Sequence, residues 1–281
     1  MPSRSPNSLR QTEADMTGRT TADVVVVGGG VMGTAIASGL VADGWTRVRV
    51  VEPSADRRAE LASVAGLQVV ASATEITGTP EVIAVVVKPK IAAAACQQIA
   101  PLIGEQTLVM SMCAGVPLGL LAEHLPGGTP VVRVMPNTPA QVGAGMSALS
   151  PNETVSPQQL DLATSLMQAV GETMIVPESL QDAVTAVSGS GPAYVFYLAE
   201  ALTEAGVQVG LTRQQADKLA RQMIIGSARL LAAGEHPTVL RERVTSPGGT
   251  TAAGIRALDA HATRAAVSDA VWAAYRRSRG E

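Results

Sequence analysis

The sequence predicts an α/β domain built on a mostly parallel sheet, followed by an all-α C-terminal domain. Three observations carry this. Short β-branched runs alternate with amphipathic stretches through the first part of the chain, which is the pattern of βαβ units. After Glu178 the candidate strands stop and long helical patterns take over. At 281 residues the chain exceeds the usual size of one domain, and each half is long enough to bury a core.

In order, strands are expected over Asp23–Val27, Arg47–Glu52, Leu67–Val70, Glu81–Val87, Thr107–Met112 and Pro130–Met135, with a last pair near Gly145–Leu149 and Glu172–Val176. Helices are expected between them over Met32–Ala42, Ala55–Ala65, Ile91–Ile99 and Pro157–Ala169. The C-terminal part should hold helices over Pro192–Val207 and Arg213–Ala233, and a closing helical stretch from Thr250 to Arg279. The resulting division is a disordered tail over residues 1–20, an α/β domain over 21–180 and a helical domain over 181–281.

Composition narrows the function classes. The formal charge of −3 gives no electrostatic footprint for nucleic acid or for an acidic membrane. No apolar run reaches the roughly 18 residues of a membrane helix. Residues 1–20 lack an apolar h-region and include Glu13 and Asp15, which speaks against a secretory or transit signal. The two cysteines, Cys96 and Cys113, form no disulfide framework and no metal-ligand spacing, so reduced thiols, a cytoplasmic location and no metal are expected. Phe196 is the single Phe of the chain, so the cores must be packed with Ala, Val, Leu, Ile and Met.

The first expected strand runs into Gly28-Gly29-Gly30-Val31-Met32-Gly33, a G-x-G-x-x-G match at 28, 30 and 33. Strand before, helix after and an acid about 20 residues on make up the context of a Rossmann dinucleotide site. Gly28 permits the tight turn, Gly30 the approach of the pyrophosphate and Gly33 close helix–strand packing. The amides of Val31 and Met32 open the helix whose N-terminus faces the phosphates. Glu52 is placed to accept from a ribose 2′-OH and to repel a 2′-phosphate. Ser54, Arg57 and Arg58 follow at once, and an arginine there could hold that phosphate or simply face solvent. NADPH and NADH both stay open.

Further segments look unlike scaffold. Val87-Lys88-Pro89 ends a strand at the sheet edge where the nicotinamide should lie, and Lys88 either touches cofactor or is an exposed strand-end lysine. Arg133–Pro139 brackets Asn137 with two prolines in a rigid strand-end loop. Ser188–Tyr194 is a run of small residues leading to Pro192 in a first helical turn. Thr245–Thr251 reads TSPGGTT before a helix, where unpaired amides make a nest for an anion such as a substrate carboxylate.

The stretches VVVVGGGVMG, VVVKP, SMCAGV, RVMPNTPAQVGAGM, SGSGPAYVF and VTSPGGTTAAGI stand in the order and approximate spacing of one family. From about residue 22 to 278 the chain resembles the pyrroline-5-carboxylate reductase family, whose members deliver a nicotinamide hydride to a cyclic C=N bond and form L-proline. The resemblance implies that Gly249, Thr250 and Thr251 bind the carboxylate of 1-pyrroline-5-carboxylate, with the Thr251 hydroxyl near the ring nitrogen. It implies Ser188 beside the reacting ring. Val87, Lys88, Pro89 and Ala114 would line the cofactor, with Asn137 close to the nicotinamide. It also implies an all-α dimerisation domain, homodimers and decamers of five dimers. Glu52-Pro53-Ser54 departs from the Ser, Thr, Asn or Arg common in NADPH-using members.

The related β-hydroxyacid dehydrogenases carry a lysine acid/base and an asparagine at positions that align here with Val195 and Ala199. Carbonyl reduction needs a proton donor, whereas an iminium arrives protonated, so the pattern favours an imine. The three histidines sit at helix ends or in loops and read as surface residues. Alternatives are a reductase of another small imine or ketoacid, and a non-catalytic dinucleotide sensor.

Overall fold

The computed structural model describes residues 21–281, so the tail expected over 1–20 lies outside the described residues. Strands β1 (Val24–Val27), β2 (Val48–Val51), β3 (Leu67–Val70), β4 (Val82–Val85), β5 (Leu108–Ser111), β6 (Val131–Met135), β7 (Gly145–Pro151) and β8 (Gly171–Ile175) form one sheet in the order β3-β2-β1-β4-β5-β6-β7-β8. All neighbours are parallel except β6 and β7. The order reverses at β1, with β2 on one side and β4 on the other, which opens a crevice at the carboxyl ends of β1 and β4.

Helices α1 (Val31–Ala42), α2 (Ala55–Ala62), α3 (Ala92–Ile99), α4 (Leu118–Ala122), α5 (Pro157–Gln168) and α6 (Gln181–Val184) belong to the same unit. The all-valine β1 is buried throughout and feeds two cores by strand alternation. Val24 and Val26 pack with Ile36 and Leu40 of α1 and Leu166 and Met167 of α5. Val25 and Val27 pack on the other side with Ile83, Val85 and Cys96 and Ile99 of α3. Each such side chain, fully removed from water, stabilises by roughly 1.5–3 kcal/mol. Asp23 precedes β1 rather than belonging to it, and its buried carboxylate accepts from Arg47 at 3.0 Å and Arg49 at 2.8 Å on the β2 side.

The first compact unit ends at Gly189 and the second runs from Ser190 to Glu281, further along than the division expected at 180. The intervening residues are tied to the sheet. Glu178 Oε1 accepts from Arg133 of β6 and from the Leu118 amide. Gln181 Nε2 donates to the Ala148 carbonyl and to Ser150 Oγ of β7.

The second unit is helical: α7 (Gly191–Gln208), α8 (Arg213–Ala232), α9 (Pro237–Arg243), α10 (Thr250–Ala260) and α11 (Thr263–Ser278). The closing stretch from Thr250 to Arg279 is therefore two helices, because Ala262 turns into the left-handed region at φ 51°. No glycine or proline marks that break. Only Thr203, Ala216 and Ala220 of this unit are buried, while Phe196 is 65% and Trp272 54% exposed. Among the described residues, no helix is long and apolar enough to cross a membrane.

Both cysteines are buried in the second sheet-face core. Burial, reinforced by the neighbouring Cys113, pushes the Cys96 thiol up to about 11. Burial also raises Cys113, partly offset by hydrogen bonds with the Val87 backbone and Ser111. Both stay protonated at neutral pH, so neither offers a thiolate. Native protein at pH 8 should release no thionitrobenzoate from Ellman's reagent within minutes, and both thiols should react once guanidinium unfolds the chain. A rapid equivalent from folded protein would contradict this packing.

Candidate active site

The turn after β1 is built from close backbone contacts. Gly28 adopts φ 106°, and a Cβ on it would lie 2.3 Å from the Val86 carbonyl oxygen beyond β4. A Cβ on Gly33 would lie 1.9 Å from the Gly28 carbonyl oxygen. Gly30 differs: a Cβ there would meet nothing within 4 Å, so its open space is available to a ligand. The first intrahelical bond of α1 runs from Thr34 N to Gly30 O, which leaves the amides of Val31, Met32 and Gly33 without a helical acceptor. No acid stands in that first turn to neutralise them. Open space over a glycine beside unpaired amides fits a pyrophosphate.

Glu52, half-buried just past β2, closes the crevice on one side. Its Oε2 accepts from the Gly29 amide and its Oε1 from the Ser54 amide, each at 2.8 Å. The carboxylate thus clasps the glycine turn to the loop that follows β2. Each oxygen keeps lone-pair capacity for a further donor such as a ribose hydroxyl. Ser54 Oγ caps α2 by accepting from the Arg57 amide. Arg57 pairs with Glu60 in an exposed i,i+3 contact of little strength, and Arg58 donates to the Glu52 and Pro53 carbonyls.

The neighbouring strand ends supply the rest. Val87, Lys88 and Pro89 follow β4, with Lys88 exposed and Pro89 opening a short 3-10 turn. Ala114, also exposed, follows β5. Asn137 follows β6, and its side chain joins Met146 and Ser188, 2.9 Å and 3.1 Å away. Ser188 lies in a π-helical turn over Thr185–Gly189, and its hydroxyl donates to the Val184 carbonyl at 3.1 Å. One unit therefore gathers Gly28–Gly33, Glu52, Val87–Pro89, Ala114, Asn137 and Ser188 at the carboxyl edge of its sheet and the adjoining turn.

The TSPGGTT segment of the second unit caps α10. Gly248 has φ 69°, and Gly249 is the extended N-cap. The Gly249 amide donates to the Ser246 carbonyl. The first intrahelical bond runs from Ala253 N to Gly249 O, leaving the amides of Thr250, Thr251 and Ala252 as the outward donors. Ala252 escaped sequence reasoning because an alanine carries no chemical signal; only the cap position reveals it. The α10 first turn also lacks an acid. Among the described residues, no group of three or more His, Cys, Asp or Glu stands together as a metal site.

Two families match separate parts of the chain. Residues 23–115 match the family described as NADP oxidoreductase, coenzyme F420-dependent, and residues 178–281 match the pyrroline-5-carboxylate reductase dimerisation family. Fold and site define a nicotinamide-dinucleotide oxidoreductase with a helical dimerisation domain. The whole-chain likeness is narrower. A pyrroline-5-carboxylate reductase of Synechocystis is 43% identical over 90% of this chain and 96% of that one. The structure of a pyrroline-5-carboxylate reductase from Coxiella burnetii, 36% identical, superposes with TM-score 0.87 over 92% of this chain and 98% of that one. The Plasmodium falciparum pyrroline carboxylate reductase, solved with NADP bound, is 30% identical with TM-score 0.80, covering 92% and 97%. The chain belongs to the pyrroline-5-carboxylate reductase family.

The three glycines of the fingerprint should separate in their effects. Gly30→Val is expected to leave the melting temperature nearly unchanged and weaken NADPH binding by about tenfold or more, since its side chain enters the ligand's space. Gly33→Ala forces helix and turn apart and should cost about 2–3 kcal/mol of stability. Calorimetry and NADPH fluorescence titration check both. A Gly30→Val protein with unaltered affinity would refute the placement of the pyrophosphate.

Proposed function

We propose that this protein reduces 1-pyrroline-5-carboxylate to L-proline, with NADPH or NADH as hydride donor, as the last step of proline biosynthesis. The observation that carries the reading is the joint presence, in one family-typical chain, of the glycine-rich dinucleotide turn and the acid-free amide nest at the start of α10.

When bound, the cofactor supplies a hydride from its nicotinamide ring. Gly28, Gly30 and Gly33 make room for its phosphates, and the α1 amides of Val31 and Met32 neutralise them. Glu52 accepts from the adenosine ribose, with Ser54 and Arg57 at the same end. Val87, Lys88, Pro89 and Ala114 line the path toward the sheet edge. The amides of Thr250, Thr251 and Ala252 hold the substrate carboxylate, with the helix dipole of α10 behind them. The Thr251 hydroxyl lies by the ring nitrogen, and Ser188 lies beside the reacting ring.

The substrate's electrophile is already a protonated imine, so the protein need not deliver a proton to a developing alkoxide. Orientation and electrostatic stabilisation then carry the rate. The residues aligned with the acid/base positions of β-hydroxyacid dehydrogenases fit this reading. Val195 and Ala199 line a groove of about 520 Å³ between α7 and α8, where apolar Phe196, Ile224 and Ile225 stand beside Glu200, Arg213, Asp217 and Arg221. That mixed lining suits a helix of a second copy. A helical unit with so little buried surface depends on such coverage, so the protein assembles as homodimers through this unit, with five dimers forming a decamer. The cytoplasm is its working compartment.

The reading is tested by mixing purified protein with racemic 1-pyrroline-5-carboxylate, following oxidation of NADPH and NADH in parallel, and assaying proline. Proline should appear in step with cofactor oxidation, and Thr251→Val should lower kcat about 100-fold with cofactor affinity retained. No oxidation of either cofactor by protein that still binds them would overturn the proposed substrate.

A further inference from the structure

Asn137 was expected to approach the nicotinamide, yet both ends of its side chain are engaged by the protein. Oδ1 accepts from the Met146 amide at 2.9 Å, and Nδ2 donates to the Ser188 carbonyl at 3.1 Å. The pair fixes the orientation of the amide. Exchanging its ends would set oxygen against the Ser188 carbonyl and NH₂ against the Met146 N–H.

The partner of Nδ2 is unusual backbone. Ser188 sits in the π-helical turn Thr185–Gly189, a widened geometry found mostly as single turns and often at functional sites. Side chains brace this turn from inside: the Thr185 hydroxyl donates to Gln181 O at 2.8 Å, and the Ser188 hydroxyl donates to Val184 O at 3.1 Å. With its hydrogen directed at Val184, the Ser188 hydroxyl offers a ligand lone pairs rather than a proton. Met135 at the β6 end also lies against the turn, since a Cβ on Gly189 would come within 2.6 Å of Met135 Cε. Asn137 also anchors its own side of the contact. Its carbonyl accepts from the Ala140 amide, opening the 3-10 turn Thr138–Val142 on which its backbone rests.

We propose that Asn137 is a positioning residue that acts through Ser188: it locks the Thr185–Gly189 turn to the carboxyl end of β6 and does not itself bind the cofactor. The inference rests on the proposed reading that Ser188 lies beside the reacting ring. Its strength is geometric. The Asn137 bond is a directional link between the β6 end and this turn, whereas the Met135 contact is made by the end of a flexible side chain. Loss of the bond would leave the turn free to shift by a fraction of an ångström, and misplacement of about 1 Å can cost about 100-fold in rate.

Asn137→Asp preserves size and the acceptor for Met146 but replaces the donor facing Ser188 with an oxygen. Asn137→Ser, too short to span the gap, removes the link without adding charge and serves if the aspartate variant fails to fold. Ser188→Ala tests the underlying reading separately. For each variant, kcat and KM for 1-pyrroline-5-carboxylate are measured beside the dissociation constant of NADPH by fluorescence. The expected result for both Asn137 variants is a kcat lowered about tenfold or more, with NADPH affinity within about twofold of the parent. A slowed Ser188→Ala enzyme with either folded Asn137 variant at parental kcat overturns the positioning role alone. Weakened NADPH binding in the Asn137 variants overturns it too, because it marks a direct cofactor contact. Parental kcat in Ser188→Ala removes the Ser188 reading and this inference with it.

Discussion

The glycine turn after β1 packs backbone against backbone, and the rest of the dinucleotide site is arranged around that contact. The Gly28 α-carbon faces the Val86 carbonyl so closely that a Cβ would sit 2.3 Å from its oxygen, and Gly33 faces the Gly28 carbonyl at 1.9 Å in the same sense. Such spacing brings the start of α1 down onto the crevice between β1 and β4, where the sheet order reverses. The amides of that helix then open toward the crevice, and Glu52 secures the arrangement by accepting from Gly29 and Ser54. One steric requirement therefore sets the phosphate site and the ribose side together.

The two units solve different physical problems. The first buries both faces of its sheet, with alternate valines of β1 feeding separate cores, and it can hold ligand-binding loops rigidly at the strand ends. The second buries three residues and exposes Phe196, Tyr197, Leu219 and Trp272. Its helices provide N-terminal amides and exposed apolar side chains, in the part of the chain that matches the dimerisation family.

Much of this was legible in the sequence because the signals are local. A four-valine run before G-x-G-x-x-G specifies strand, turn and helix from neighbouring residues. All eight strands were legible in the same way, with ends shifted by a residue or two. What escaped depends on context. Ala262 adopts a left-handed conformation with no glycine to mark it, so the last helix pair read as one stretch. The bonds of Glu178 and Gln181 to Leu118, Arg133, Ala148 and Ser150 join partners far away in sequence. The TSPGGTT motif is legible as a helix start, but only the turn geometry shows the Gly249 amide bonded to Ser246 and the Ala252 amide left without a helical acceptor. The bonds of Asn137 to Met146 and Ser188 cannot be inferred from its neighbours in sequence.

On the proposed reading, the acid-free helix starts of α1 and α10, one in each unit, serve the cofactor phosphates and the substrate carboxylate. A protonated cyclic imine needs no proton donor to a developing alkoxide. The most direct measurement is isotopic: the reaction is run with NADPH or NADH deuterated at the transferable C4 position, and the proline is analysed by NMR. One deuterium on the ring CH₂ beside nitrogen, the former imine carbon, is the predicted result. Proline without deuterium, or with deuterium at another carbon, would contradict direct hydride delivery to the imine.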